Sequence, residues 1–190
     1  MNDLRQPDAT LPQAVRERIE TGRARRDVVP LESHAAVEVG SGRPDPVSLL
    51  VAQDEHRVQA LVPIRHARMR VSPFTFFRGG AAIMASDLSR TASSGLLVQL
   101  CGDAHLSNFG VFNGPDRRLV FDLNDFDETL PGPFEWDVKR LAASVAIAGR
   151  NNEISDRKAE VAARATVTAY RQTLDEIAGL DPLALHYYRI

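Results

Sequence analysis

Asp103, His105, Asn108, Asp122 and Asp125 crowd into residues 101–128, CGDAHLSNFGVFNGPDRRLVFDLNDFDE. Carboxylates and carboxamides gathered this closely suit metal-assisted transfer of a phosphoryl group. Magnesium takes oxygen ligands and is commonly held by one or two carboxylates together with substrate phosphates, so Asn108 and Asp122 suffice as protein ligands, with Asp125 as a further candidate. Asp103 is left free to act as a base, and His105 to position the loop or touch a phosphate. Each has a plainer reading. Asp103 could cap nearby N–H groups, His105 could make a structural hydrogen bond, and Asp125, Asp127 and Glu128 could form a solvated acidic turn.

The elements around these residues must bring them together. Leu96 to Cys101 is an apolar run short enough for a buried strand and is ended by Gly102, which puts Asp103 at a strand's carboxyl end. Phe109 to Phe112 and Arg117 to Phe121 suit two further strands, with Asn113-Gly114-Pro115-Asp116 supplying a tight hairpin connection. A hairpin brings its ends together, so Asn108 is expected beside Asp122, with Asp103 on the loop that feeds both. Helices are predicted from Pro12 to Asp27, from Val47 to Leu61 with Pro63 marking an end or kink, and from Pro73 to Leu88 despite Gly79-Gly80. Two more are predicted from Trp136 to Ala148, ending at Gly149, and from Ser155 to Ala178. Residues 1–10 are expected to be disordered and 28–46 to form a linker or an ordered surface loop.

The interval from Asp103 to Asn108 is the D-x-x-x-x-N of the protein-kinase catalytic loop, and a second metal-binding Asp follows a hairpin there too. The stretch resembles the catalytic loop and metal-binding segment of the aminoglycoside phosphotransferase and choline kinase branch of the protein-kinase-like superfamily. More closely, VPIRHARMRVSPFTFFRGGAAIMASDL, QLCGDAHLSNFGVF and LVFDLNDFDETLPGPFEWDVKRLAAS, between about Leu61 and Arg150, resemble the bacterial domain-of-unknown-function family 2252. The kinase-like resemblance implies that Asp103 is the catalytic Asp, Asn108 the catalytic-loop Asn, and Asp122 the Asp of the metal-binding triplet. It also implies that Asp137, at the start of EWDVKRLAAS, braces the loop through backbone N–H groups.

The pattern departs from kinases at Cys101, where such enzymes usually carry a His two positions before the catalytic Asp. A kinase also needs a Gly-rich cover over the phosphates and a strand Lys. Lys139 and Lys158 are the only lysines and fall in helical patterns, while Gly40-Ser41-Gly42 reads as part of the linker. Members of the resembling family are generally longer, with their Gly-rich and Lys-bearing segments after the catalytic loop, so the domain is expected to be incomplete here. The fold class that results is α/β of the α+β kind: a mostly helical, kinase-like catalytic lobe in which a short strand and a β-hairpin carry the site. Residues 1–46 form an N-terminal helix and linker, and 47–190 the partial catalytic domain.

Composition is that of an ordinary globular chain, 44% apolar and 25% charged over 190 residues. A formal net charge of −2 argues against a nucleic-acid partner, and no run approaches the ~20 apolar residues of a membrane span. A single Cys excludes an internal disulfide, and Cys101 itself reads as a small core residue. MNDLRQPDATLPQ lacks the form of a signal peptide, so a cytoplasmic location is expected.

The expected activity is ATP- and magnesium-dependent phosphoryl transfer to an unidentified hydroxyl acceptor. Arg78 in FFRGG would reach a phosphate or pair with a carboxylate. The groups that clamp ATP are expected outside this chain, which would leave it inactive alone. The remainder of the domain would be its partner, or else it would self-associate through an apolar surface around Phe74, Phe76 and Phe109. Two other classes compete: a metal-dependent phosphate-ester hydrolase built on Asp103-x-His105 and Asp122, and a nucleotide-binding pseudoenzyme that keeps the fold without turnover.

Overall fold

The structure, a computed structural model, describes residues 12–36, 40 and 42–188. The disorder expected for residues 1–10 falls outside them. The fold is α+β and mostly helical, with two separate two-stranded antiparallel sheets. Helix α1, Gln13–Val28, is charged and buries none of its residues, as its lack of apolar anchors predicts. A short 3-10 turn, Leu31–Ala35, occupies part of the expected linker.

Helix α2, Pro46–Asp54, starts where the Asp45 carboxylate accepts a 2.9 Å hydrogen bond from the Ser48 N–H, with Pro46 in the first turn. It ends at Asp54 instead of reaching Leu61. Pro63 opens helix α3, Val62–Met69, where its missing N–H has no helical partner to lose; the sequence reading had it end or kink a helix. The single helix expected from Pro73 to Leu88 is two, α4 Pro73–Gly79 and α5 Ala81–Leu88, separated at Gly80. A Ser72–Thr75 capping box starts α4. Gly79 has a packing reason: a Cβ there would lie 2.6 Å from Met69 Sδ, so only glycine lets α4 close onto α3.

Strand β1, Leu97–Leu100, is exposed except at Leu100, not the buried strand expected. Its partner is β4, Leu130–Pro133, with Leu97 opposite Pro133 and Leu100 opposite Leu130. Prolines are tolerated there because a two-stranded ribbon leaves one N–H side of each strand unpaired. Strands β2, Phe109–Asn113, and β3, Leu119–Leu123, form the predicted hairpin. The connection is longer than the tight turn expected, with Asn113 opposite Leu119, the Gly114 N–H bonded to the Arg118 carbonyl at 2.8 Å, and Arg117 at φ 63°.

Helix α6, Glu135–Asn151, packs along α7, Asp156–Ile177. Gly149 lies inside α6, where it was expected to end the helix. A Cβ on it would come within 2.9 Å of Ala159 Cβ, so the glycine serves the approach of the two helices. Ser155 is the residue before α7 as predicted, without a side-chain cap bond. A final short helix, α8 Pro182–His186, is capped by Asp181.

Among the described residues the buried apolar side chains are Leu50, Met69, Ile83, Leu88, Leu100, Cys101, Ala104 and Ala159. The buried polar ones, Asp54, His105, Asn108, Glu135, Arg140 and Ser144, are almost as numerous, and most of them sit on α6 or on the loop after β1. Order in that region therefore rests on polar contacts as much as on apolar packing. Among the described residues no helix is long and apolar enough to cross a membrane.

Candidate functional site

Helix α6 holds the loop after β1 through one polar face. Asp137, Arg140 and Ser144 are spaced three and four residues apart, which places them on the same side of the helix. Asp137 Oδ2 accepts from the Cys101 N–H at 2.7 Å and Oδ1 from the Gly102 N–H at 3.1 Å, so the role the resemblance implied for this residue matches its contacts. Arg140 Nε donates to Asp103 Oδ1 at 2.5 Å, and Nη2 reaches the same oxygen. Nη2 also donates to the Phe77 carbonyl at 2.9 Å, and the guanidinium carbon stands 4.5 Å from the centre of the Phe77 ring. Ser144 Oγ accepts from the Leu106 N–H at 2.9 Å.

Arg140 and Ser144 were missed in the sequence. The signal was present as D-x-x-R-x-x-x-S, a polar stripe at helical spacing beside the apolar Val138, Leu141 and Val145.

Within the loop, the Asp103 carbonyl accepts from the His105 N–H at 2.7 Å and from Asn108 Nδ2 at 2.8 Å. Gly102 takes φ +84°, and a Cβ there would lie 2.0 Å from the Glu128 carbonyl oxygen. Cys101 is buried and its Sγ donates to the Asp125 carbonyl at 3.2 Å, tying the loop to the segment after β3. Burial pushes the Cys101 thiol up, so it remains a donor and not a thiolate nucleophile. Burial also pushes the Asp103 carboxyl up, while Arg140 pulls it back by charge and by hydrogen bonding.

His105 is only 3% exposed, and its Nδ1 finds no hydrogen-bond partner. Burial, reinforced by the positive Arg140 and Arg78, lowers it from 6.5 to about 4. The imidazole is therefore neutral at pH 7, and its Nε2, 3.6 Å from Asp103 Oδ2, is a polar neighbour and not an ion-pair partner.

This arrangement fixes a pH dependence. The unfolded chain protonates His105 near 6.5 and the folded chain only near 4. The corresponding stability is complete above the upper value and is lost as pH falls toward the lower one, by on the order of 3 kcal/mol. Urea unfolding between pH 7 and pH 4 is expected to show a shallower loss in His105→Gln than in the parent. Identical slopes would remove His105 as the source.

Asp103, His105, Asn108 and Asp125 line one cleft of about 820 Å³, together with the exposed Arg68 and Arg78. Asp122 is not part of its lining. It stands opposite Gly110 within the hairpin, is exposed, and its Oδ1 accepts from the Leu123 N–H at 2.8 Å. The longer connection explains the difference. With β3 starting at Leu119 and not at Arg117, Asp122 falls inside the strand and Asp125 becomes the first carboxylate beyond its end.

Asp125 Oδ1 accepts from the Asp127 N–H at 3.2 Å in an Asx turn. The Asn124 N–H bonds the Asn108 carbonyl at 3.0 Å, so the two loops that carry Asn108 and Asp125 are joined. These two oxygen donors fit magnesium only if phosphate and water complete its shell. Among the described residues no three His, Cys, Asp or Glu side chains group closely enough to hold a metal. Of the apolar residues expected on a partner surface, Phe76 is exposed, Phe74 is half-buried, and Phe109 stacks on Phe121 at 6.2 Å.

Residues 57–190 match the family described as an uncharacterized protein conserved in bacteria (DUF2252). The chain belongs to that family. The DUF2252 match contains the whole span from Leu61 to Arg150 whose motifs resemble it, and with it Asp103, His105, Asn108, Asp125 and Arg140. It leaves α1 and α2 outside and carries no kinase-like relationship with it. No curated protein and no solved structure matches this DUF2252 chain.

Proposed function

We propose that this DUF2252 protein binds a nucleotide with magnesium in the Asp103 cleft and transfers a phosphoryl group to a hydroxyl acceptor. The observation that carries the reading is the meeting of Asp103, Asn108 and Asp125 in one cleft, with the first two at D-x-x-x-x-N spacing on a loop braced by Asp137. Asn108 and Asp125 would hold magnesium, which when bound neutralises charge on the transferred group. Asp125 takes the place the resemblance gave to Asp122. Asp103 Oδ1 is engaged by Arg140, which leaves Oδ2 to accept the acceptor hydroxyl's proton. Arg78, which lines the cleft, would meet a phosphate oxygen.

A second reading, nucleotide binding without turnover, is favoured by the same Arg140 contact, because a carboxylate held by a buried guanidinium is a weaker base. Hydrolysis of phosphate esters, with water as the attacking group, is the third class.

Calorimetry of nucleotides with and without magnesium, paired with a turnover assay, separates the three when run on the full-length protein that includes the groups expected to clamp ATP. Asp125→Asn is expected to weaken magnesium-dependent binding and Asp122→Asn to leave it as in the parent. Asp103→Asn should keep binding and lower turnover by roughly 100-fold, the usual loss on removing a positioned base. Binding that weakens equally in the Asp122 and Asp125 variants would sink the assignment of Asp125. Parent and Asp103→Asn proteins with equal turnover would remove Asp103 from the chemistry, and binding with no turnover in the parent would select the second reading.

A further inference from the structure

The cleft that holds Asp103 and Asp125 carries more positive than negative charge, because Arg57, Arg65, Arg68 and Arg78 also line it. The four arginines are not equivalent. Arg65 is committed to the fold, with Nη1 on Asp54 Oδ1 at 3.2 Å and Nη2 on Gln53 Oε1 at 2.9 Å and on the Gly79 carbonyl at 2.7 Å. Arg57 reaches Glu128 only at 3.8 Å, between two exposed side chains, a pair that contributes little. The guanidinium groups of Arg68 and Arg78 make no hydrogen bond or ion pair with any described residue, and both side chains are exposed to the cleft.

Their shared opening onto the cleft is built into the fold. Met69 packs where Gly79 lacks a Cβ, so α3 and α4 are in close contact, and the residue just before each of these, Arg68 and Arg78, opens on the same cleft. Both cations face the same cleft without an ion-pair partner among the described residues, and a bound anion would supply the missing counter-charge.

We propose that Arg68 and Arg78 form an oxyanion subsite that takes a dianionic phosphate group directly, without a metal. The guanidinium fork matches pairs of phosphate oxygens, and both forks open on one cleft. A cleft of about 820 Å³ has the size that holds a small phosphorylated molecule. Whether the phosphate belongs to the donor nucleotide or to a phosphorylated acceptor is a distinction that rests on the phosphotransferase reading, whereas the binding itself does not.

Isothermal titration of the chain with inorganic pyrophosphate in the presence of EDTA tests the subsite. One saturable binding event is expected, weaker at higher salt. Its affinity should fall roughly tenfold or more in Arg68→Gln and in Arg78→Gln, with an unchanged thermal midpoint, and stay at the parent value in Arg157→Gln. No saturable binding to the parent, or parent affinity in both cleft variants, would overturn the proposal. Adding ATP then distinguishes the sources: displacement of pyrophosphate places the subsite on the donor, simultaneous binding places it on the acceptor, and either upholds it. A chain that binds pyrophosphate but never turns over nucleotide also upholds the subsite, so the binding and the phosphotransferase reading fail separately.

Discussion

Arg140→Met is expected to cost the fold about 3–5 kcal/mol at pH 7, the usual penalty for removing one partner of a buried ion pair. Arg140 is 2% exposed, and its guanidinium joins three parts of the molecule: Asp103 on the loop, the Phe77 carbonyl at the end of α4, and α6 from which it extends. Methionine retains much of the apolar stem and none of the donors, so the Asp103 carboxylate would be left half-buried without its counter-charge. Burial already pushes that carboxyl up, and with Arg140 gone nothing comparable pulls it back.

The sign of the pH effect follows. In the variant the folded state takes up a proton on Asp103 more readily than the unfolded state, so the deficit should shrink as pH falls toward the raised value. Urea unfolding at pH 7 and at pH 5 measures both parts. Arg140→Met combined with Asp103→Asn should recover part of the loss, because the neutral amide needs no counter-charge. A loss under about 1 kcal/mol at pH 7, the size of an exposed pair, would show that the Arg140 contact does not support the loop.

Gly102→Ala should be nearly as damaging, by roughly 3 kcal/mol or more, and should also remove magnesium-dependent nucleotide binding. The left-handed φ of +84° disfavours any residue with a Cβ, and here the Cβ would lie 2.0 Å from the Glu128 backbone oxygen, which no rotamer change can relieve. The loop would have to move away from Glu128, and Gly102 is also where the Asp137 carboxylate grips the backbone. Asp103 follows directly, so its carboxylate would leave the cleft with it. Gly22→Ala is the matching control. Its Cβ would meet nothing within 4 Å in the middle of α1, and the usual preference for Ala in a helix predicts a gain of about 0.5–1 kcal/mol. Thermal unfolding of the two variants should therefore move in opposite directions. Equal midpoints for Gly102→Ala and the parent would mean that the loop adopts another path.

Helices α1, α6 and α7, the β2–β3 hairpin and the strand before Asp103 were legible from apolar spacing, caps and turn residues, because those signals act within a few residues of each other. Breaks and junctions were less so. Gly79-Gly80 implied a close approach and Gly149 read as a helix end, but which elements press close there lies in Met69 and Ala159 and not in the glycines' own neighbourhood. No strand was predicted over Leu130–Pro133, and pairing with β1 makes one.

The same division runs through the site. The sequence by itself determined the D-x-x-x-x-N loop and the carboxylate cluster, because each is a matter of residue type at short spacing, whereas the bracing Asp137 was implied only by the resemblance. Only the tertiary structure decided that Asp125 and not Asp122 lines the cleft with Asn108, since β3 starts two residues later than its local pattern suggests and takes in a carboxylate expected beyond its end. It alone placed Arg140 on Asp103, because an ion pair across 37 residues depends on how α6 docks against the loop and leaves no trace in the local pattern of either segment.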